Sequence, residues 1–184
     1  MWGVTMRGQA VVMRPIVEAE LRLLLGWRAD PQVVRLLTSG YRAQAPSEVK
    51  QWWERAGTAS DAFHWGLEWD GRLVGHTEIN HIDWTARSGW TAILIGDRSV
   101  WRHGIATEAV ALRTEYAFWK LNLHKLNSAY FAGNLGIAKA LGRAGYREVA
   151  RLKEQLYRDG RWFDQILTEV LREDWEREHV LAPL

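Results

Sequence analysis

The sequence predicts an α+β domain of mixed α/β order spanning residues 1–184. Its centre is expected to be a twisted, mostly antiparallel sheet of about seven strands flanked by helices. Stretches with the helical spacing of apolar residues alternate with stretches that have the period-two spacing of strands. Two Asp-Gly pairs, at 70–71 and 159–160, separate strand-like runs and indicate tight hairpins. The length suits a single core, and no repeat or linker divides the chain.

The first half of the chain predicts a strand, two helices and a hairpin. A short β-rich run precedes a stretch with helical spacing that ends at Pro31. A second helix follows, with Ser47 as its expected N-cap and Gly57 as its end signal. From Phe63 onward apolar residues alternate, which predicts the two strands of the first hairpin.

The second half predicts a strand, a long helix, another strand, a short helix and a closing hairpin. Residues 89–97 read as a mostly buried central strand, and a long helix is expected to begin at Gly104. Its apolar stripe is predicted to comprise Ile105, Ala109, Leu112, Tyr116 and Trp119. The short helix is closed by Gly145, and the last two strands flank the second Asp-Gly pair.

The composition excludes several functional classes. The 24 Lys and Arg residues nearly balance the 22 Asp and Glu residues, so nucleic acid is not expected as a partner. The absence of cysteine excludes disulfides and thiol nucleophiles, and His76 and His81 face opposite sides of a regular strand, so no metal site is expected. Neither a signal peptide nor a membrane span is recognisable. We therefore expect a cytoplasmic protein with no membrane partner.

The stretch around Gly104 has the features of an anion site. A strand that ends near Gly96, a tight loop and a new helix present free backbone N–H groups and the positive end of a helix dipole. Neither the P-loop motif nor the dinucleotide fingerprint is present, so the common nucleotide folds are not indicated. An ordinary strand–helix connection, with Gly104 allowing close packing, fits the same residues.

Three stretches of the chain form a pattern when taken together: WRHGIATEA from Trp101, YAFWKLNLHKL from Tyr116 and NLGIAKALGRAGY from Asn134. In this order and spacing they resemble the GNAT acetyltransferases, in particular the branch of ribosomal-protein N-terminal and spermidine acetyltransferases. The similarity extends over about residues 14–175. It implies a splayed central strand pair, acetyl-CoA as co-substrate and direct transfer of the acetyl group to a primary amine. The lack of cysteine is consistent with transfer that has no covalent intermediate.

The resemblance also implies which residues bind the cofactor. Backbone amides of the phosphate loop would hold the pyrophosphate: Arg102, His103, Gly104, Ile105, Ala106 and Thr107. Backbone groups of the central strand would hold the pantetheine arm: Ile93, Leu94 and Ile95. Asn134 matches the family's asparagine near this arm, and it equally suits the N-cap of the following helix. The two roles of Asn134 are compatible.

The sequence departs from the family pattern at three positions. Trp101 stands where the wider superfamily often has Gln or Arg. Leu141 replaces a tyrosine that protonates the leaving thiolate in many relatives, and Ile137 replaces the serine of the ribosomal-protein enzymes. Because a thiol has a pKa near 8.5, its thiolate can leave and take a proton from water. No side-chain acid is indicated, and a catalytically silent acyl-CoA-binding domain remains an alternative.

The acceptor amine must lose a proton before it attacks, so a base is expected beside the central strand. Strand alternation places His76, Glu78 and Asn80 on one face, and Glu78 is the first candidate. Glu154 is the second candidate, because the resemblance implies a carboxylate two positions further on, as in the ribosomal-protein enzymes, where this chain has Leu156. The alternative for Glu78 is a solvated hairpin face.

The acceptor is expected to be the N-terminal α-amine of a protein or peptide. An α-amine has a pKa near 8 and demands less of a base than a polyamine amine does. The acids of the first two predicted helices are spread over ordinary helix surfaces and do not suggest a polyamine site. Polyamines, amino sugars and antibiotic amines are the alternative acceptors. A homodimer is left open.

Overall fold

The computed structural model describes residues 1–38 and 44–179, in which eight strands form one sheet. The strands are β1 (Met6–Arg7), β2 (Val11–Arg14), β3 (Phe63–Trp69), β4 (Arg72–Asp83), β5 (Ser88–Ile95), β6 (Lys125–Phe131), β7 (Arg147–Arg158) and β8 (Arg161–Leu171). The helices are α1 (Leu21–Ala29), α2 (Pro31–Val34), α3 (Pro46–Thr58), α4 (Ile105–Trp119), α5 (Leu135–Arg143) and α6 (Arg172–His179). The spatial order is β1-β2-β3-β4-β5-β6-β8-β7, and only β5 and β6 pair in parallel. The mixed, mostly antiparallel fold is confirmed; β1, with two residues, is too short to predict from sequence.

The two Asp-Gly pairs form hairpin turns, as predicted. Asp70 and Gly71 have φ angles of 50° and 70°, and Asp159 and Gly160 have 48° and 78°. Positive φ at both central residues is the geometry whose twist matches that of paired strands. The turns therefore connect β3 to β4 and β7 to β8 directly.

The start of α3 differs from the prediction that Ser47 is its N-cap. The N-cap is Ala45, and Pro46 occupies the first helical position, where its fixed φ is favourable and its missing N–H costs nothing. The Glu48 carboxylate accepts the Ala45 N–H at 2.7 Å. Ser47 therefore lies inside the first turn, and the helix ends at Thr58, one residue beyond Gly57.

The buried face of α4 is wider than the predicted stripe. It comprises Ile105, Ala109, Val110, Arg113, Thr114, Ala117 and Phe118. Trp119, predicted to lie in the stripe, is 49% exposed. The face is wide because α4 packs both against the sheet and against α5. A smaller apolar cluster lies under α1 and α3.

The sheet opens between β5 and β6. Their parallel pairing runs from Ser88 opposite Lys125 to Thr91 opposite Ser128 and then stops. Beyond that point β5 stays paired with β4, and β6 stays paired with β8. The implied splayed strand pair is thus confirmed, and it leaves a cleft within the sheet. No helix in the described ranges is both long enough and apolar enough to cross a membrane.

Candidate active site

A cavity of about 690 Å³ occupies the cleft between the splayed strands. Its walls are β5, β6, the N-terminus of α4, α5 and the segment that follows α2. Its volume lies in the range of sites for small molecules and cofactors. It is lined by nine of the ten residues that the resemblance assigned to the cofactor: Ile93, Leu94, Ile95, Arg102, Gly104, Ile105, Ala106, Thr107 and Asn134. The structure thus brings these residues to one place.

The N-terminus of α4 faces this cavity with unpaired donors. Gly104 is the N-cap, in the left-handed conformation with φ 82°, and no side chain caps the helix. The first ladder bond of the helix runs from the Glu108 N–H to the Gly104 carbonyl at 3.0 Å. The N–H groups of Ile105, Ala106 and Thr107 precede this bond and lie outside the helical ladder. Together with the helix dipole they form a site for an anion.

The charge of the lining favours a polyanion. Arg102, Lys139 and Arg143 line the cavity, and none of its described lining residues is a carboxylate. Lys139 and Arg143 lie one turn apart on α5, so both reach the same wall. Sequence reasoning missed these two cations, although their four-residue spacing in a predicted helix was a usable signal.

Trp101 connects the phosphate loop to the central strand. Its indole N–H donates to the Ile95 carbonyl at 3.0 Å. Trp101, which stands where the wider superfamily often has Gln or Arg, therefore fixes the phosphate loop against the end of β5. On the other side of the strand, a Cβ at Gly75 would lie 2.3 Å from the Leu94 carbonyl oxygen. Only glycine allows β4 and β5 to approach so closely there.

His103 is the one assigned cofactor residue that does not line the cavity. Its ring lies against Trp69 with centroids 5.6 Å apart, and its Nδ1 is 3.1 Å from the Trp101 carbonyl. Its backbone N–H contacts the Val100 carbonyl at 3.4 Å. A role for His103 in phosphate binding stays a prediction.

Asn134 has the capping role expected for it and also faces the cavity. Its Oδ1 accepts the Ile137 N–H at 3.2 Å, which caps α5. Its Nδ2 donates to the carbonyl of Leu36, another residue that lines the cavity, at 3.2 Å. The side chain therefore holds two walls of the cavity together.

Glu78 lies beside the cavity rather than in its wall. Its Oε2 is 3.0 Å from His64 Nδ1, and its Oε1 accepts from Asn80 Nδ2 at 2.6 Å. Burial raises the pKa of Glu78, but the contacts with His64, His76 and Asn80 outweigh burial and lower the pKa to about 2. Its cross-strand neighbour Ala92 is exposed and lines the cavity. The carboxylate is therefore ionised at neutral pH, one side chain away from the cleft.

Glu154 lies far along the sheet from Glu78. It is exposed on β7, where an irregularity in the pairing gives it a φ of 50°, and its N–H donates to Asp164 Oδ1 at 3.0 Å. Three strands stand between β7 and β4 in the sheet order. The two candidate bases are thus not brought together, and Glu154 is not part of the cavity lining.

A second, smaller cavity of about 30 Å³ lies on the face covered by α1 and α3. Arg28, Trp52 and His76 line it, and Leu94 lines both this cavity and the large one. Burial lowers the pKa of His76 to about 4, against the opposing effect of Glu78. Burial also lowers the pKa of Arg28, which nevertheless stays protonated at neutral pH.

The low pKa of His76 predicts that acid weakens the fold. His76 binds a proton less readily in the folded protein than in the unfolded chain. Its contribution to the free energy of unfolding is therefore complete above pH 6.5 and is lost as the pH falls towards 4. Because the pKa of Glu78 is lowered from 4.5 to about 2 by folding, its protonation causes a further loss of unfolding free energy over that pH range. Between pH 7 and pH 5 we expect His76 to account for about 2 kcal/mol of lost unfolding free energy.

Urea unfolding at pH 7 and pH 5 measures this effect. The loss between the two values should be smaller by about that amount in His76→Gln than in the unsubstituted protein. The matched control is His81→Gln, on the same strand but exposed. An equal pH dependence in His76→Gln and the unsubstituted protein would contradict the prediction.

The cleft of the splayed sheet presents strand backbone, a helix N-terminus and the side chains of three cations. This combination defines the class of proteins that bind an elongated, anionic acyl carrier. Comparison with known proteins agrees. The model of the acetyltransferase (GNAT) domain family matches residues 10–147, and the chain belongs to this family. It is an acetyl-CoA-dependent N-acetyltransferase of the GNAT type.

Two Bacillus subtilis proteins are among its relatives. The probable N-acetyltransferase YjcK is 25% identical, with 94% of this chain and 99% of the relative covered. The putative ribosomal N-acetyltransferase YdaF is 26% identical over 68% of each chain. Among solved structures, Vibrio cholerae spermidine N-acetyltransferase in complex with CoA and spermine has a TM-score of 0.82 at 18% identity. That match covers 91% of this chain and 99% of the other.

Proposed function

We propose that the enzyme acetylates the N-terminal α-amine of a protein or peptide, with acetyl-CoA in the large cavity. The phosphates would contact the open amides of α4 and the side chains of Arg102, Lys139 and Arg143. The observation that carries this assignment is the cation-lined cavity at a helix N-terminus between splayed strands. The pantetheine arm would lie along the exposed edge of Ile93–Ile95.

Acetyl-CoA supplies an acetyl thioester whose carbonyl carbon is open to an amine nitrogen. In the overall exchange a C–N bond replaces the C–S bond. The neutral amine gives up one proton to water as the C–N bond forms, and water returns one proton to the departing thiolate, so the products are an amide and free CoA. The chain's part is to orient the carbonyl on β5 and to hold the amine beside it. Leu94, which lines both cavities, supports entry of the amine from the side of α1 and α3.

We propose Glu78 as the group that draws the proton from the amine, through a water molecule. Its position next to Ala92 supports this role. A carboxylate with a pKa of about 2 is a weak base, so the acceptor should be an amine that is partly neutral at the working pH. An α-amine meets this condition better than a polyamine does. Glu154 stays a second proposal for the base.

Arg28 supports an acceptor with a single positive charge. Arg28 is a half-buried cation that lines the small cavity beside Leu94, where it would repel the additional ammonium groups of a polyamine. The alternative is a polyamine, amino-sugar or antibiotic amine. The similarity in fold to spermidine N-acetyltransferase favours considering polyamines first.

A competition between acceptors tests the proposal. With acetyl-CoA saturating, we expect a peptide with a free N-terminal Ala or Ser to have a higher kcat/KM than spermidine or an aminoglycoside. Arg28→Gln should raise the kcat/KM for spermidine about tenfold, because it removes the opposing charge. Arg22→Gln makes the same change at an exposed position of α1 and should leave the ratio of the two substrates unaltered. Preference of the unsubstituted enzyme for spermidine by about tenfold would exclude the peptide acceptor.

A further inference from the structure

An arginine is fully buried under the point where the sheet opens. Arg113 of α4 has 0% exposure. Its Nη1 donates to Thr77 Oγ1 at 2.6 Å and to the Ala92 carbonyl at 2.8 Å. Thr77 Oγ1 in turn donates to the same carbonyl at 2.8 Å. The Ala92 carbonyl thus accepts two side-chain hydrogen bonds, one of them from a cation.

This arrangement is costly for folding. Within residues 1–38 and 44–179 no carboxylate lies at ion-pair distance from Arg113, and Tyr146 and Glu78 are the groups that act most on its charge. Burial lowers the pKa of Arg113, yet a guanidinium stays protonated at neutral pH. A buried cation without a paired anion destabilises a fold, and an apolar side chain of similar volume would avoid that cost. Stability alone therefore does not explain Arg113.

The direction of the carbonyl groups along β5 determines what Arg113 can affect. The Thr91 carbonyl accepts from Ser128 Oγ of β6 at 3.1 Å, whereas the Ala92 carbonyl accepts from Thr77 of β4. Successive carbonyls of a strand point to opposite sides, which is why the Thr91 carbonyl is directed towards β6 and the Ala92 carbonyl towards β4. The Ala92–Ile93 peptide is trans, and its N–H therefore points away from its carbonyl, towards β6.

The N–H of Ile93 faces the cleft beyond the end of the β5–β6 pairing. The pairing of β5 with β6 ends at Thr91 and Ser128, two residues earlier on β5. Ile93 lines the large cavity immediately beyond this end point. It is the first cleft-facing amide of β5 after the strands separate.

We propose that Arg113 is a positioning residue that polarises the Ala92–Ile93 peptide and so strengthens the Ile93 N–H as a hydrogen-bond donor to the acetyl carbonyl oxygen. The inference rests on the proposed placement of acetyl-CoA in the large cavity. Hydrogen bonds in series polarise one another, and a buried cation at one end of a peptide increases the partial positive charge at its other end. A donor fixed in advance where negative charge develops lowers the barrier.

Four variants separate this role from a structural one. Arg113→Met removes the charge at similar length, and Arg113→Lys keeps it. Thr77→Val removes the second donor to the Ala92 carbonyl, and it keeps the proposal testable if Arg113→Met does not fold. Thr168→Val is its matched control, because Thr168 is also buried and donates to the Ser128 carbonyl of a neighbouring strand at 3.2 Å.

The direct readout is the infrared carbonyl band of bound [1-¹³C]acetyl-CoA, measured without acceptor. In the unsubstituted enzyme this band should lie at lower wavenumber than in free acetyl-CoA. Arg113→Met should lose most of the shift and Thr77→Val part of it, while Arg113→Lys and Thr168→Val should largely keep it. We also expect kcat to fall about tenfold in Arg113→Met and about threefold in Thr77→Val. The dissociation constant of acetyl-CoA should change no more than about twofold.

The outcomes distinguish the inference from the proposed function. If acetyl-CoA binds and its band has the same position in the unsubstituted enzyme, Arg113→Met and Thr77→Val, Arg113 has no polarising role, although the function stands. An equal loss of shift in Thr168→Val and Thr77→Val would likewise overturn the inference, since it would reflect general loosening of the sheet. Failure of acetyl-CoA to bind the unsubstituted enzyme would instead refute the placement of the co-substrate.

Discussion

Gly104→Val is expected to weaken acetyl-CoA binding about 100-fold, or about 2.7 kcal/mol, which lies near the upper end of the roughly 1–3 kcal/mol that a strained left-handed residue costs. Gly104 has a φ of 82°, which a β-branched residue rarely adopts. A Cβ at this position would meet no protein atom within 4 Å, so the substitution does not cause a clash inside the protein. Relief of the strain would turn the loop amides away from the phosphates. The new side chain would also occupy the space in front of these amides, where the phosphates would bind.

Isothermal titration calorimetry with acetyl-CoA measures this loss. Gly71→Val is the matched control, because Gly71 has a φ of 70°, equally open surroundings and a position in the β3–β4 turn outside the cavity lining. Both variants should lose similar stability, but only Gly104→Val should lose affinity. Unchanged affinity in Gly104→Val would show that the helix N-terminus does not hold the phosphates.

Glu78→Gln is expected to lower kcat about 100-fold, the lower end of the range for general base catalysis, because a weak base contributes less. The Kd of acetyl-CoA should change little, since the carboxylate does not line the large cavity. With the pKa of Glu78 at about 2, its own protonation should not limit activity between pH 5 and pH 8. In that range kcat/KM should follow the neutral fraction of the acceptor amine.

Steady-state kinetics against pH, with the peptide acceptor, test this expectation. Glu68→Gln is the control for loss of an ion pair in the same sheet, because Glu68 of β3 binds Arg14 outside both cavities. Unchanged turnover in Glu78→Gln would remove Glu78 as the base, and a loss in Glu154→Gln would then assign the role to the final hairpin. If neither substitution lowers kcat, proton removal proceeds through water alone.

Features set by neighbouring residues were predictable from the sequence. The Asp-Gly turns formed because both central residues tolerate positive φ, and α4 began after Gly104 for the same reason. The contiguous motifs around Gly104 and Asn134 led to the correct family, and the resemblance named nine of the residues that line the large cavity. The Ser47 prediction was wrong because a proline at the first helical position moved the cap two residues back.

The sequence by itself determined the fold class, the family and the loop that opens α4, since these depend on local backbone preferences and contiguous motifs. Tertiary structure decided the electrostatics. The pKa of Glu78 depends on His64, which only strand register brings within 3.0 Å. The spacing of apolar residues along a helix predicts that a charged residue such as Arg113 lies on the solvent-exposed face. In the structure, packing of α4 against the sheet buries Arg113 beside the Ala92 carbonyl. Charge interactions depend on distance in space, and that distance exists only once the strands and helices have packed.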